Sequence, residues 1–259
     1  KKIKTTAAIN GWNHGQINSM IVDDNTLWIA TQLHGLLKYN IRTDSISTVK
    51  ETGEFLSIKN LLKDNQGNIW LTSPEWGLIR TPGETLKLFP LTDPPIFEHI
   101  HTILSDKEGN IWVNDEDNRI VKYSLKNGIY LPHKITLNGL TEKTDITSLY
   151  LDEFGNIWIG TMGKGIYILD PKTEKYRVFT ENEVFKNASV LSINGRHNSI
   201  FASSLQGVMV VTVSEINKNI AVPYRFKNYN NSSTGTNYVY SIFQDSRNRI
   251  WFATDGRGL

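Results

Sequence analysis

Asp152-Glu-Phe-Gly-Asn-Ile-Trp158 is one of four closely matched spellings in this chain, beside Asp64-Asn-Gln-Gly-Asn-Ile-Trp70, Asp106-Lys-Glu-Gly-Asn-Ile-Trp112 and Asp245-Ser-Arg-Asn-Arg-Ile-Trp251. A shortened copy, Asp24-Asn-Thr-Leu-Trp28, precedes them, and a degenerate one, His197-Asn-Ser-Ile-Phe201, ends in Phe instead of Trp. The six closing aromatics lie 42, 42, 46, 43 and 50 residues apart, near the roughly 40–45 residues of a four-stranded propeller blade. Helical repeats of similar period would show 3.6-residue patterning, and none is present.

Around each copy the residues read as strands. Ile17–Asp23, Ile146–Leu151 and Tyr238–Gln244 are short β-branched and aromatic runs, followed by a turn whose Gly-Asn pair, as at Gly155-Asn156, is expected to supply the positive φ of a tight reversal. In the fourth copy the chain returns through Asn156–Thr161, turns at Gly163 and Gly165, runs out through Ile166–Asp170 and closes with Lys175–Phe179. This predicts an all-β chain, a β-propeller of four-stranded antiparallel blades with six repeats and the last incomplete. The blades are expected at 17–50, 56–91, 99–137, 146–181, 189–229 and, in part, 238–259. Residues 1–6 resemble an outer strand and the last residues stop where a third strand should begin, which reads as an excerpt of a longer propeller.

The Asp that heads each turn is expected to accept hydrogen bonds from amides two or three residues on. One twisted sheet cannot bury its own faces and must stack on the next. Trp28, Trp70, Trp112, Trp158, Phe201 and Trp251 are therefore expected as anchors between blades, not as sugar platforms. The small polar residue that recurs in the first strand, at Ser19, Asn60, Thr102, Ser148, Ser192 and Ser241, reads as an inter-blade hydrogen bond and not as a nucleophile.

Composition bounds the function. The 28 Lys and Arg against 26 Asp and Glu are too even to build the field that nucleic acid or an anionic membrane surface selects. A 39% hydrophobic fraction and seven Trp suffice for a sizeable core. No apolar run reaches the roughly 20 residues of a spanning helix, so the segment reads as soluble. The absence of Cys removes disulfides, thiolate metal sites and a Cys nucleophile, and leaves the compartment open.

The unit Ile146-Thr-Ser-Leu-Tyr-Leu-Asp-Glu-Phe-Gly-Asn-Ile-Trp-Ile-Gly-Thr-Met-Gly-Lys-Gly-Ile-Tyr-Ile-Leu-Asp170 resembles the two-component regulator propeller repeat, and the likeness runs through nearly the whole chain. The fifth blade departs most, with Ala202-Ser-Ser where Gly-Thr is usual. The resemblance implies the periplasmic sensor region of a hybrid two-component histidine kinase and response regulator. It also implies a neighbouring propeller and a sandwich-like domain in the same receptor, and an oligosaccharide ligand derived from a glycan. Kinase activity would belong to that parent protein and not to these residues.

In a propeller the loops entering the first strand and those joining second to third strands open on one face. The first set offers Asn18, Lys59, His99, His101, Tyr238 and Tyr240, and the second His34, Trp76 and Lys164. Such polar and planar groups suit a glycan, whose hydroxyls need partners and whose C–H faces stack on rings. Along the first strands one position varies while its neighbours repeat: Asn18, Lys59, His101, Thr147, Leu191 and Tyr240. Specificity is expected there.

His99 and His101 alternate on one strand, yet lack the third ligand a metal needs, so no metal or other cofactor is expected and channel lining is the plainer reading. Trp12, beside Gly11, reads as a cap over edge strands. Glu75, Glu98, Asp115, Glu116 and Asp117 could supply the carboxylate pair of a glycosidase, but spacing alone establishes no separation. Three readings follow: a non-enzymatic oligosaccharide sensor, a propeller polysaccharide lyase or glycosidase, and a protein-interaction scaffold. The first is preferred, with a homodimer open and no catalytic residue assigned.

Overall fold

A computed structural model describes residues 16–52, 57–81, 100–115, 119–140, 144–179, 185–196, 199–205, 207–212, 225–229 and 238–254; of residues 51, 212 and 225–229 only the backbone is described. The first sheet runs in the order β1 (Ile17–Asp23), β2 (Thr26–Thr31), β3 (Leu36–Asn40) and β4 (Ser45–Thr48). The second holds β5 (Asn60–Lys63), β6 (Ile69–Ser73) and β7 (Gly77–Thr81). The third holds β8 (Ile103–Ser105), β9 (Ile111–Asn114), β10 (Ile120–Lys126) and β11 (Ile129–Ile135), again as neighbours in sequence order. The fourth is β12 (Ile146–Leu151), β13 (Ile157–Thr161), β14 (Ile166–Leu169) and β15 (Tyr176–Val178). The fifth is β16 (Val190–Arg196), β17 (Ser199–Ser204), β18 (Gly207–Thr212) and β19 (Arg225–Tyr229), and β20 (Val239–Gln244) pairs with β21 (Ile250–Thr254) in a two-stranded sixth.

The fold is an all-β propeller of antiparallel blades. Among the described residues the one helical feature is a 3-10 turn at Lys50–Thr52, and no helix is long and apolar enough to cross a membrane. The chain divides into two compact units, and each is described by itself. The first comprises Lys1–Ser105, Gly109–Ile111 and Tyr123–Pro132, and the second Asp106–Glu108, Trp112–Lys122 and His133–Leu259.

The repeated heptapeptide forms a closed lock. Asp64 Oδ1 accepts the N–H groups of Gln66 at 2.9 Å and Asn68 at 2.8 Å, while Oδ2 accepts Asn68 Nδ2–H and Trp70 Nε1–H, both at 2.8 Å. Asp152 accepts Asn156 N–H at 2.8 Å and Trp158 Nε1–H at 2.9 Å, and Asp106 accepts Trp112 Nε1–H at 2.8 Å. The carboxylate thus reaches amides two and four residues on, and the indole six residues on. The sequence pattern predicted the first kind of bond and missed the second. Only the Gly of the expected Gly-Asn pair takes positive φ, as at Gly67 (83°) and Gly155 (88°), with Asn248 (60°) in its place in the sixth blade. The Asn that follows is a hydrogen-bond donor to Asp.

Trp70, Trp112, Trp158 and Phe201 are almost fully buried, and Trp28 nearly so. In the first unit Trp28, Ala30 and Leu36 of the first blade pack on Ile58, Leu61 and Ile69 of the second. In the second unit Trp158, Ile166 and Phe179 pack on Val190, Ile193 and Ile200. Contact there is close enough to demand glycine: a Cβ at Gly160 would lie 2.8 Å from Val190 Cγ1. Burial, with Asp152 and Glu153 adding to it, pushes the neighbouring Tyr150 phenol up to about 12, so it stays neutral at any physiological pH.

Two departures carry physical consequences. In the first blade Asp24 stands four residues before Trp28 instead of six, and the buried Trp28 Nε1 has no hydrogen-bond partner. Lys38, directly opposite on β3, places Nζ 4.4 Å from the centre of that indole, as Lys122 does at 5.1 Å over Trp112. In the sixth blade Arg249 replaces Asn, and its Nε donates to Asp245 Oδ2 at 2.6 Å.

Replacing Asp152 by Ala strands the buried Trp158 N–H and frees the turn, and should lower stability by about 1–3 kcal/mol. Trp158→Ala should lower it by about 3–5 kcal/mol. Urea denaturation of both variants measures this, and a larger effect for Asp152 than for the emptied ring would contradict the assignment. A second expectation concerns acid. Partial burial pushes Asp245 up, but hydrogen bonds from the Arg249 amide, the Trp251 indole and the Arg249 side chain outweigh it and hold the carboxyl well below the usual range. A depressed folded pKa stabilises above the ordinary carboxylate value of about 4 and is lost as pH falls through the folded value. Thermal midpoints recorded below pH 4 should therefore fall less steeply in Asp245→Asn than in the parent.

Candidate functional site

Four of the first strands open with the same irregularity. Register slips by one residue between Ile17 and Ser19, Ile146 and Ser148, Val190 and Ser192, and Val239 and Ser241. Lys59 and Asn60 likewise both address Thr72, Lys59 through its N–H at 2.8 Å. These are β-bulges, which place one extra residue on one strand and re-aim its side chain. The extra residue is Asn18, Lys59, Thr147, Leu191 or Tyr240, the position that varies in sequence.

At two of these bulges the side chain ties neighbouring blades together. Asn18 Nδ2–H donates to Ile58 O at 2.8 Å, and Thr147 Oγ1–H to Val190 O at 2.6 Å. The small polar residue that follows does the complementary job: Ser19 Oγ accepts Leu61 N–H at 3.2 Å and Ser148 Oγ accepts Ile193 N–H at 2.9 Å. Lys59, Leu191 and Tyr240 are different chemistry at the same place. Tyr240 is exposed and Lys59 half-buried.

The turns between second and third strands are rigid. Thr31 Oγ1–H and Thr161 Oγ1–H each donate to the carbonyl four residues on, Gly35 O and Gly165 O, at 2.8 Å, and Ser204 Oγ–H to Gly207 O at 3.2 Å. These turns are also laced to the segment entering the first strand of their own blade. Gln32 N–H donates to Gln16 O, Met162 N–H to Asp145 O and Leu205 N–H to Ser189 O, at 2.9, 2.8 and 3.3 Å. The two sets of loops therefore lie at one end of each of these blades.

At this end, in the first unit, stand exposed Trp76 and His101 with half-buried His34 and Lys59; His34 N–H is held by Thr31 Oγ1 at 2.9 Å. In the second unit Lys164, Tyr238 and Tyr240 are exposed. His99, Trp12, Glu98, Glu116 and Asp117 lie outside the described residues. Of the remaining carboxylates, Glu75 accepts Ser73 Oγ–H at 2.7 Å, and Asp115 pairs with Arg119 at 2.8 Å and Lys134 at 3.3 Å. Among the described residues no group of three or more His, Cys, Asp or Glu could hold a metal ion. Sequence reading missed the exposed aliphatics of the same turns, Leu33, Met162 and Leu205. Their signal is position: each falls within two residues after the capping hydroxyl.

Residues 139–163 and 234–256 match the family model described as two component regulator propeller. No match is found among curated proteins. Among solved structures, the extracellular domain of the putative hybrid two component system BT3049 from B. thetaiotaomicron aligns with TM-score 0.73 and 21% identity, over 99% of this chain and 34% of that one. The corresponding domain of BT4673 from the same organism gives 0.73 and 22%, over 98% and 33%. A catalytically inactive virginiamycin B lyase from Staphylococcus aureus gives 0.69 and 13%, over 97% and 80%. At these identities the likeness shows the propeller fold. The chain spans about one third of the length of the two-component structures.

The seam ties and the exposed rings should separate cleanly on mutation. Thr147→Val keeps the shape, removes the donor to Val190 O and should cost about 1 kcal/mol of stability. Trp76→Ala and Tyr240→Ala should stay within about 0.5 kcal/mol of the parent, as exposed positions do. Chemical denaturation decides it, and equal losses in all three would make Trp76 and Tyr240 structural.

Proposed function

We propose, from the match of residues 139–163 and 234–256 to the two component regulator propeller model, that this chain is the extracytoplasmic ligand-sensing part of a hybrid two-component receptor, with an oligosaccharide as ligand. The observation that carries the ligand reading is the placement of exposed rings and cations on backbone that is already pinned. Trp76 stands in a turn held by Ser73 and Glu75. Rigid aromatic groups stack on sugar C–H faces with little entropy to lose, while Lys59 and His34 supply donors for hydroxyls. Binding energy then reaches a partner domain as a shift between two arrangements of the receptor. A periplasmic location follows from the same reading.

Calorimetric titration against a panel of defined oligosaccharides, with product analysis on every hit, tests the proposal. Ala at Lys59, Trp76 or His101 should weaken the cognate sugar by roughly 1–3 kcal/mol each. Product formation would turn the reading to a lyase or glycosidase. Unchanged affinity in all three variants would remove the site from these residues.

A further inference from the structure

The dipeptide Asn-Gly begins at Asn10, Asn127, Asn138 and Asn194. Glycine has no Cβ, so its nitrogen is poorly shielded from the asparagine side chain before it. Asn10 lies outside the described residues, and the other three are held in different ways. Asn194 is half-buried in β16, where its Oδ1 accepts Gly195 N–H at 2.7 Å and its Nδ2–H donates to Ile242 O at 3.1 Å. The glycine nitrogen there presents its proton, not its lone pair, to the side chain. Asn138 is exposed, yet its N–H donates to Tyr176 Oη at 2.6 Å and its carbonyl accepts Tyr167 Oη–H at 3.5 Å. The peptide joining it to Gly139 is pinned, and a Cβ at Gly139 would lie 3.1 Å from Tyr167 Oη.

Asn127 has neither restraint. It and Gly128 are the two turn residues between β10 and β11, both exposed, with φ of 52° and 80°. This is the type I′ reversal, in which the flanking strands do the pairing. Among the described residues nothing accepts the Gly128 N–H or holds the Asn127 amide. We infer that Asn127 is a site of spontaneous covalent modification in the folded chain. Hydroxide removes the Gly128 N–H proton, and the nitrogen forms a bond to Asn127 Cγ. The Cγ–Nδ2 bond breaks, and ammonia leaves with a proton taken from water. The cyclic imide then adds one water, which opens it at either carbonyl to aspartate or to isoaspartate. Each product places a negative charge at the tip of the hairpin. Isoaspartate also lengthens the backbone by one carbon, which breaks the two-residue register that pairs β10 with β11.

Incubating the folded chain in mildly alkaline buffer, then digesting it with trypsin for mass mapping with fragmentation, tests this against an unincubated sample. Asn127, Asn138 and Asn194 fall in separate tryptic peptides. The Asn127 peptide should gain one mass unit and accept methyl groups from an isoaspartyl methyltransferase. Asn138 and Asn194 convert only through local opening, so each should react at least about tenfold more slowly. In the urea-unfolded chain the three rates should converge, since each asparagine then precedes an equally free glycine. Asn127→Gln, whose longer side chain closes such a ring poorly, should abolish both signals in its peptide. A folded chain in which Asn127 converts no faster than Asn138 and Asn194 overturns the inference. So does a difference that persists unchanged in urea, or an Asn127→Gln peptide that converts as the parent's does.

Discussion

In the second, third and fourth blades a carboxylate oxygen and an indole N–H meet at 2.8–2.9 Å, with the indole almost wholly removed from water. A hydrogen bond to a charged acceptor in such a place is worth about 1.5–3 kcal/mol, and an unpaired donor there costs a similar amount. One Asp thereby joins three levels of structure. It closes the first hairpin through backbone amides, fixes the rotamer of the anchor ring, and so sets the surface on which the next blade must fit. The first blade shows the same design with this bond missing: Asp24 stands two residues nearer to its tryptophan than the carboxylates of the later blades do, and Trp28 Nε1 has no partner.

The seams add a second layer of order. Side-chain packing between sheets is nearly free of direction, so it cannot by itself fix how far one blade slides along another. The paired bonds of Asn18 with Ser19 and of Thr147 with Ser148 supply that direction. Gly160 and Gly195 show how little clearance is left: a Cβ at Gly195 would stand 2.6 Å from Tyr150 Oη. Stability in such a stack is close to a sum over blades and the seams between them.

The strands, the first turns and the buried rings of the first five blades were legible in the sequence because Asp64 to Trp70 recurs with its spacing intact, and repetition exposes what a single copy would hide; Trp251 of the sixth, expected as an anchor, is instead exposed. The indole bond was not, since Asp-to-amide and Asp-to-ring contacts leave the same pattern of letters. The bulge was also hidden. An extra residue is defined only against its partner strand, and Lys59 with Asn60 looks like ordinary strand until both are seen to address Thr72. That blindness bears on the candidate site. Variation at Asn18, Thr147 and Tyr240 reads as one kind of slot, yet two of the three side chains are spent on the neighbouring blade. Trp76 was legible for the opposite reason: it is the tryptophan between Glu75 and Gly77 that breaks the repeat.

The split between caged and bare tryptophans makes the molecule optically selective. Trp70, Trp112 and Trp158 sit in dry surroundings with their N–H groups held still, conditions that give short-wavelength emission. Trp76 faces water, so long-wavelength excitation should address it in preference to the caged rings, with the less exposed Trp251 as a second source. Among the described tryptophans, a colour change at the red edge would then report chiefly events at the tip of the second blade, without a label.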